Sequence, residues 1–350
     1  METASLDELS ERFPLVSAQI VFSGPGQVTV REERVEAPAP GQVVIRTSYS
    51  LVSTGTELTC LAGEFSPGGH WDEWVRYPFQ PGYSNVGRVA AAGAGVAGLR
   101  EGDRVASHTP HAQFTAVPAE EAIRIPDSVT DEDASWFAIA SIAQIGVRRA
   151  RLAAGSCAVV LGAGILGQLT AQFARRAGAG RVIVVARSAA RLDRAIRAGA
   201  TDAVAASADQ AVARIRDLTG GTLADAVFDV TGDPAVLPSA LVMARRFGRV
   251  VLVGDPGFPE RQHLTADVLL RGVELVGAHF GYASRTEPGE EHPSHHELSA
   301  NFFSGVEKGE IDVAGLVTHR YSPRDCAEAY ATLLRRDGST LGLVFDWARV

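Results

Sequence analysis

The sequence predicts an α/β protein that joins a small β-barrel to a doubly wound parallel sheet. Three observations carry that expectation. Residues 15 to 125 hold short apolar runs broken by glycine and proline. A single long stretch then changes to the helical period. From residue 156 the pattern is strand, glycine turn, helix, repeated, which is the mark of a parallel sheet covered on both faces. A chain of 350 residues with 46% hydrophobic content has material for about two such units.

The elements follow in order. "AQIVF" and "QVTVRE" flank "SGPG", a hairpin signal. "GQVVIRTSYSLVS" alternates in part, and "VGRVAAAGAGV" and "GDRVAS" are short strands separated by glycines. In "SVTDEDASWFAIASIAQIGVRRARLAAG" Thr130 can cap a helix, Asp131, Glu132 and Asp133 fill its first turn, and Arg148, Arg149 and Arg151 its last. That charge order suits the helix dipole, and Gly155 is expected to end the helix. Beyond it, "CAVVLGAG" is strand and turn, "ILGQLTAQFARRAGA" helix, "RVIVVA" strand, "SAARLDRAIRAGA" helix, "DAVAA" and "ADAVFDVTG" strands, "PAVLPSALVMARRF" helix, and "GRVVLVG" and "VELVGAHF" strands. The tail from about 286 is polar, then helical in "SPRDCAEAYATLLRRD", then a strand in "LGLVFDW".

Composition removes several function classes. No apolar run reaches the roughly 18 residues of a membrane span. "METASLDELSERF" carries acids and no apolar core, so it does not read as a signal peptide, and the expected location is the cytoplasm. Cys60, Cys157 and Cys326 are far apart and form no CxxC, hence neither a disulfide framework nor a zinc lobe. The net charge of −8 is spread without a basic block, which argues against nucleic acid as a partner. Lys308 is the only lysine, so Schiff-base chemistry would have to rest on it, and no Tyr-x-x-x-Lys pair exists.

"VVLGAGILG" places Gly162, Gly164 and Gly167 between an apolar strand and a helix. That context turns a GxGxxG into a pyrophosphate cradle, with Ile165 and Leu166 opening the helix over it. The next strand selects the dinucleotide. A carboxylate at its end would bond the ribose hydroxyls of NAD. Here Ala186 stands there, followed by Arg187, Ser188 and, one turn on, Arg191, so the expectation is NADP(H), with a guanidinium on the 2′-phosphate. Thr231 and Gly232, Gly254 and Asp255, and His279 and Phe280 end three further strands, where the cofactor crevice lies.

Together with "VSTGTEL", "YPFQPGYSNVGRVAAAGAGVAGLREGDRV", "FDVTG" and "CAEAY…LGLVFDW", these pieces resemble the medium-chain dehydrogenase/reductase superfamily over nearly the whole chain. "STGTE" and "PGY" are similar to the subgroup that includes bacteriochlorophyllide hydroxyethyl dehydrogenases. The resemblance implies a GroES-like catalytic barrel in 1–150, a Rossmann unit in 151–285, a return segment in 286–350 that completes the barrel, and an active site between them. Zinc members carry Cys in a Cys-Gly-Thr-Asp motif, His in Pro-Gly-His-Glu and a third ligand further on. Here those positions are Thr54, Tyr83 and a residue near Ala138. Thr, Tyr and Ala do not make a zinc site, so no catalytic metal is expected. His292, His295, His296 and Glu297 could be weighed as another metal cluster, but "EEHPSHHELS" reads as a surface loop or cleft rim.

Without a metal, a placed hydroxyl has to meet the charge that develops on oxygen. Tyr83 stands at the lost His position and is either the donor or a wall of the pocket. The resemblance makes Thr56 the relay hydroxyl beside Thr54, and gives Glu57 a structural role. His111 is either an acid–base group or a bonded structural histidine. His70, Trp71, Trp74 and Ser84 are expected around a pocket suited to a ring-bearing substrate. The expected function is hydride transfer between NADP(H) and a ketone or secondary alcohol of a small metabolite. Quinone or enoyl reduction is the alternative, and a non-catalytic NADPH sensor the reading from another class. A homodimer through "VELVGAHF" as an edge strand is implied by the resemblance.

Overall fold

The computed structural model describes residues 12–284, 293–335 and 338–350. The predicted hairpin is β1 (Leu15–Gly24) against β2 (Gln27–Val35), antiparallel. After it come β3 (Gln42–Leu51), α1 (Thr54–Ala62), α2 (His70–Trp74), β4 (Asn85–Ala92), β5 (Arg104–Ser107), β6 (Phe114–Pro118) and β7 (Ile123–Arg124). Two helices, α3 (Asp131–Ala134) and α4 (Phe137–Ala150), lead into the second sheet. There β8 (Cys157–Leu161), α5 (Ile165–Arg176), β9 (Arg181–Ala186), α6 (Ala189–Arg197), β10 (Asp202–Ala205), α7 (Ala208–Leu218), β11 (Ala224–Asp229), α8 (Leu237–Met243), β12 (Ala244–Leu252), α9 (Asp267–Leu270) and β13 (Glu274–Gly277) follow in turn. The chain then returns through α10 (His295–Glu307), β14 (Val317–Tyr321), α11 (Cys326–Leu334) and β15 (Gly342–Asp346).

The six-stranded sheet runs β10-β9-β8-β11-β12-β13 with all pairings parallel. This is the doubly wound order, whose direction reverses between β8 and β11, where such sheets bind ligands. One face is filled by α4, α5 and the return segment around Phe137, Phe228 and Phe302, the other by α7 and α8 around Leu241 and Ile215. The seven-stranded sheet is built from both ends of the chain: β15 pairs antiparallel with β3 and parallel with β14. Its core holds Phe22, Tyr330 and Phe345.

Several local expectations change. The long helix is two. Thr130 caps α3 through the Asp133 amide as expected, but the helix breaks at Ser135 and Trp136. The second piece stops at Ala150, where Arg151 takes the left-handed conformation (φ 50°), so Arg151 and not Gly155 ends it. The helix of "PAVLPSALVMARRF" stops at Met243, and Ala244 already belongs to β12. Helices α1, α2 and α7 were not expected. Nor was α10: "SHHE" is a capping box, with the Ser294 hydroxyl accepting from the Glu297 amide and the Glu297 carboxylate from the Ser294 amide. His295, His296 and Glu297 therefore sit in a helical first turn rather than a loop, and His292 lies outside the described residues.

Candidate active site

Tyr83 is placed by the Pro-Gly frame in front of it. Gly82 has a φ of 95°, and a Cβ there would lie 2.7 Å from the His111 ring, so only glycine fits. The Tyr83 ring then reaches across to Phe280, just past β13, with centroids 6.0 Å apart. One side chain of the barrel thus meets one strand end of the parallel sheet. The Tyr83 phenol donates to the Ser53 hydroxyl at 2.5 Å. Burial pushes that phenol up to about 12; hydroxyls of Ser53 and Thr56 pull it down, and the Glu57 charge pushes it further up.

Ser53 precedes α1 in the N-cap position, yet its side chain makes no cap bond. A serine cap is worth about 1 kcal/mol. Instead the Ser53 amide donates to Glu57 Oε1 at 2.7 Å, and the hydroxyl serves Tyr83. Glu57 is 1% exposed. Its Oε2 accepts from His111 Nε2 at 3.1 Å and from the Tyr330 hydroxyl. His111 Nδ1 in turn meets Ser50 Oγ at 2.7 Å, which also receives the Trp347 indole at 2.9 Å. Leaving a buried carboxylate without its partners costs on the order of 3–5 kcal/mol, so this network holds the floor under α1.

The expected site residues divide accordingly. Thr54 and Thr56 open α1 beside Tyr83, and both are partly exposed. His111 is fully buried with both ring nitrogens engaged, which leaves neither for acid–base work. Ser84 is also buried, its hydroxyl held by the Ser135 carbonyl at 2.6 Å, and Trp71 packs in the barrel core. Trp74 is exposed against Trp71 and Phe79. His70 joins the two sheets: its Nε2 meets Asp255 Oδ2, just after β12, at 2.7 Å. Ser66 reinforces this seam with its amide on the Gly257 carbonyl at 2.9 Å.

His111 thus takes the bonded structural role, one of the two the sequence leaves open, and the other histidine of "HTPH" is the one that faces Phe280. His108 Nδ1 lies 3.3 Å from the Tyr83 carbonyl. Its ring is 4.6 Å from Phe137, 5.0 Å from Phe280 and 4.6 Å from His295, which itself stacks on Phe280 at 4.3 Å. Sequence reasoning does not single out His108, Phe137 or Ser53, and it places His295 only in a weighed metal cluster, a surface loop or a cleft rim. Only Ser53, directly before "TGTE", carried a local signal.

On the parallel sheet, the glycine turn has the shape a dinucleotide needs. Gly162 turns with φ 109°, and a Cβ on Gly167 would lie 2.0 Å from the Gly162 carbonyl, so helix α5 packs hard on the turn. A Cβ on Gly164 meets nothing within 4 Å, leaving open space at the start of a 12-residue helix. The first amides of such a helix, Ile165 and Leu166 among them, have no intrahelical acceptor. Across the turn, Thr231 commits its hydroxyl to Asp229 at 2.7 Å, and burial raises the Asp229 carboxyl. Gly254 and Gly232 are in close contact, bringing two strand ends together. His279 Nδ1 accepts from the Gly281 amide at 3.1 Å. After β9, Arg187 is exposed and Ser188 leads α6, but Arg191 donates to the Thr340 carbonyl at 2.6 Å and so ties the return segment down.

The positions that the resemblance matches to zinc donors hold Thr54, Tyr83 and a residue near Ala138, which is itself fully buried. These are not ligands that hold zinc. Among the described residues no group of three or more His, Cys, Asp or Glu is placed to hold a metal. No helix among them is long and apolar enough to cross a membrane.

Residues 39–127 match the alcohol dehydrogenase GroES-like domain and residues 166–292 the zinc-binding dehydrogenase model. The chain is 27% identical to the 2-desacetyl-2-hydroxyethyl bacteriochlorophyllide A dehydrogenase of Cereibacter sphaeroides, over 94% of this chain and 97% of that one. It is 27% identical to the sorbitol dehydrogenase of Bacillus subtilis, over 75% and 79%. A protein from Sinorhizobium meliloti 1021 solved with bound NADP has the same fold, with a TM-score of 0.77 at 19% identity, covering 95% of this chain and 99% of that one.

Proposed function

We propose, starting from a chain that belongs to the medium-chain dehydrogenase/reductase superfamily and is an NAD(P)-dependent oxidoreductase, that it moves hydride between NADP(H) and a ketone or its secondary alcohol without zinc. The observation that carries this reading is the Tyr83 phenol at the former metal-ligand position, bonded to Ser53 and set against Phe280. NADPH, when bound, supplies the hydride. Gly162, Gly164 and the start of α5 would hold its pyrophosphate, and Arg187 with Ser188 its 2′-phosphate. Tyr83 gives its proton to the substrate oxygen. A phenol raised by burial is the acid that ketone reduction needs, and a poor base for the reverse reaction at neutral pH. The Phe280 ring set against Tyr83 favours a small substrate that carries a ring. Quinone or enoyl reduction is the alternative, since an enolate needs the same donor.

The test is stopped-flow oxidation of bound NADPH by ring ketones, quinones and enones, alongside metal analysis and chelation. Rapid oxidation by a ketone, undiminished by chelator and with no stoichiometric zinc, is the expected result. Stoichiometric zinc would sink the metal-free reading, and silence toward every acceptor would favour a sensor.

A homodimer through β13 belongs to the same reading. This strand ends the parallel sheet, and Leu264, Leu269 and Leu270, which precede it in the chain, are exposed, Leu269 at 86%. Leu270→Glu is expected to turn a dimer into a monomer in sedimentation velocity. A wild-type chain that sediments as a monomer removes the idea.

A further inference from the structure

We propose that Ser53 is the residue that positions the Tyr83 phenol for proton transfer, accepting its hydrogen bond at rest and donating to the phenolate once the proton has left. The proposal rests on Tyr83 as the proton donor. Three observations carry it. Ser53 occupies a helix N-cap, the place where a serine hydroxyl ordinarily bonds a first-turn amide, and here it makes no such bond. Its oxygen instead lies 2.5 Å from the Tyr83 hydroxyl, at the short end for two hydroxyls. And its backbone is pinned, since its amide donates at 2.7 Å to Glu57, a buried carboxylate that His111 and Tyr330 hold from the other side.

The chemistry follows from what a hydroxyl can do. It has one hydrogen to give and two lone pairs to accept with, so it reverses its role by rotation, without moving a heavy atom. In the reduction direction hydride from NADPH reaches the carbonyl carbon, the Tyr83 O–H bond breaks and the new O–H bond forms on the substrate oxygen. The electron pair stays on the phenol oxygen. There the hydroxyl hydrogens of Ser53 and Thr56 meet it until a proton from water restores the phenol. Glu57 touches neither substrate nor phenol; its part is to keep Ser53 in place. A serine that only accepts from the neutral phenol favours the protonated form, so its loss would lower the pH at which Tyr83 ionises, whereas loss of a serine that donates to the phenolate raises it.

The experiment uses the full chain with NADPH bound, carrying 3,5-difluorotyrosine at position 83 so that the phenol ionises within an accessible range, read by fluorine NMR. Ser53→Ala is expected to raise the pH at which that phenol ionises. In the enzyme with ordinary Tyr83 it lowers kcat roughly 10- to 100-fold, the weight of a hydrogen bond to a charged group, with KM little changed. Ser53→Thr returns both values toward wild type. Ser53→Gly, which helix caps tolerate, replaces the alanine variant if that one does not fold. A phenol that ionises at the same or a lower pH without the Ser53 hydroxyl overturns the proposal, whatever happens to kcat. Failure of Tyr83 itself shows separately, as Tyr83→Phe with full turnover, a result the titration does not depend on.

Discussion

Tyr83→Phe is expected to lower kcat by roughly 10²- to 10⁴-fold, the usual weight of a placed general acid. The ring, its packing on Phe280 and NADPH binding stay intact, because phenylalanine removes one oxygen and nothing else. Single-turnover oxidation of bound NADPH by the preferred ketone reads the effect directly. Unchanged turnover would make Tyr83 a wall of the pocket. The pH dependence has a definite sign. Burial raises this phenol to about 12, so it stays protonated, and able to donate, at every pH below that value. The reduction rate therefore has no alkaline limb from Tyr83 in the ordinary working range. The same holds for stability. Tyr83 and Tyr330 are both raised in the fold from an ordinary 10.0, so their contribution is complete below pH 10 and is lost as pH climbs through the folded values.

Arg187→Ala is expected to raise KM for NADPH about 10- to 100-fold, one charge-assisted bond to phosphate, while KM for NADH hardly moves. Arg187 follows the last residue of β9 and is exposed, so a contact with a 2′-phosphate there would be open to salt, and a preference for NADPH is expected to narrow as ionic strength rises. Ala186→Asp is the complementary change. It puts a carboxylate at the strand end, where it bonds ribose hydroxyls and repels a 2′-phosphate. Steady-state kinetics with both dinucleotides decide the matter, and a wild-type enzyme that prefers NADH refutes the assignment. Arg191 is the poorer target. Its guanidinium holds the Thr340 carbonyl, so removing it would disturb the return segment as well.

Much of the fold was legible because it is written locally. The "SGPG" turn, the alternation of short apolar strands with helices and the GxGxxG all depend on near neighbours, and each stands where it was expected. The misses have physical causes. Helix α1 carries Gly55 and three threonines, a sequence with little intrinsic preference for a helix; it is held by the buried Glu57 carboxylate, a tertiary contact. The helix at "SHHELS" is a different kind of miss, since its capping box is a local signal that was present and not used. The site divides in the same way. The glycine turn could be read from spacing. Ser53 stands directly before the readable "TGTE", but its bond to Tyr83, 30 positions away, is not written there. The choice between His108 and His111 likewise depended on which ring faces Phe280 and which faces Glu57, and the two stand three positions apart in one loop.

The pairing of β15 with β3 sets an order of events during synthesis. Trp347 reaches Ser50 across 297 positions of chain, and that contact belongs to the network beneath α1. A ribosome releases β3 long before β15 exists, whereas the strands of the parallel sheet leave it as one continuous block. The cofactor half can therefore mature while the barrel still waits with one strand edge open. Closing a loop of that length adds only slowly to the entropic cost, so the delay is a matter of time and exposure more than of final stability. The network beneath α1 is complete only once Trp347 has reached Ser50.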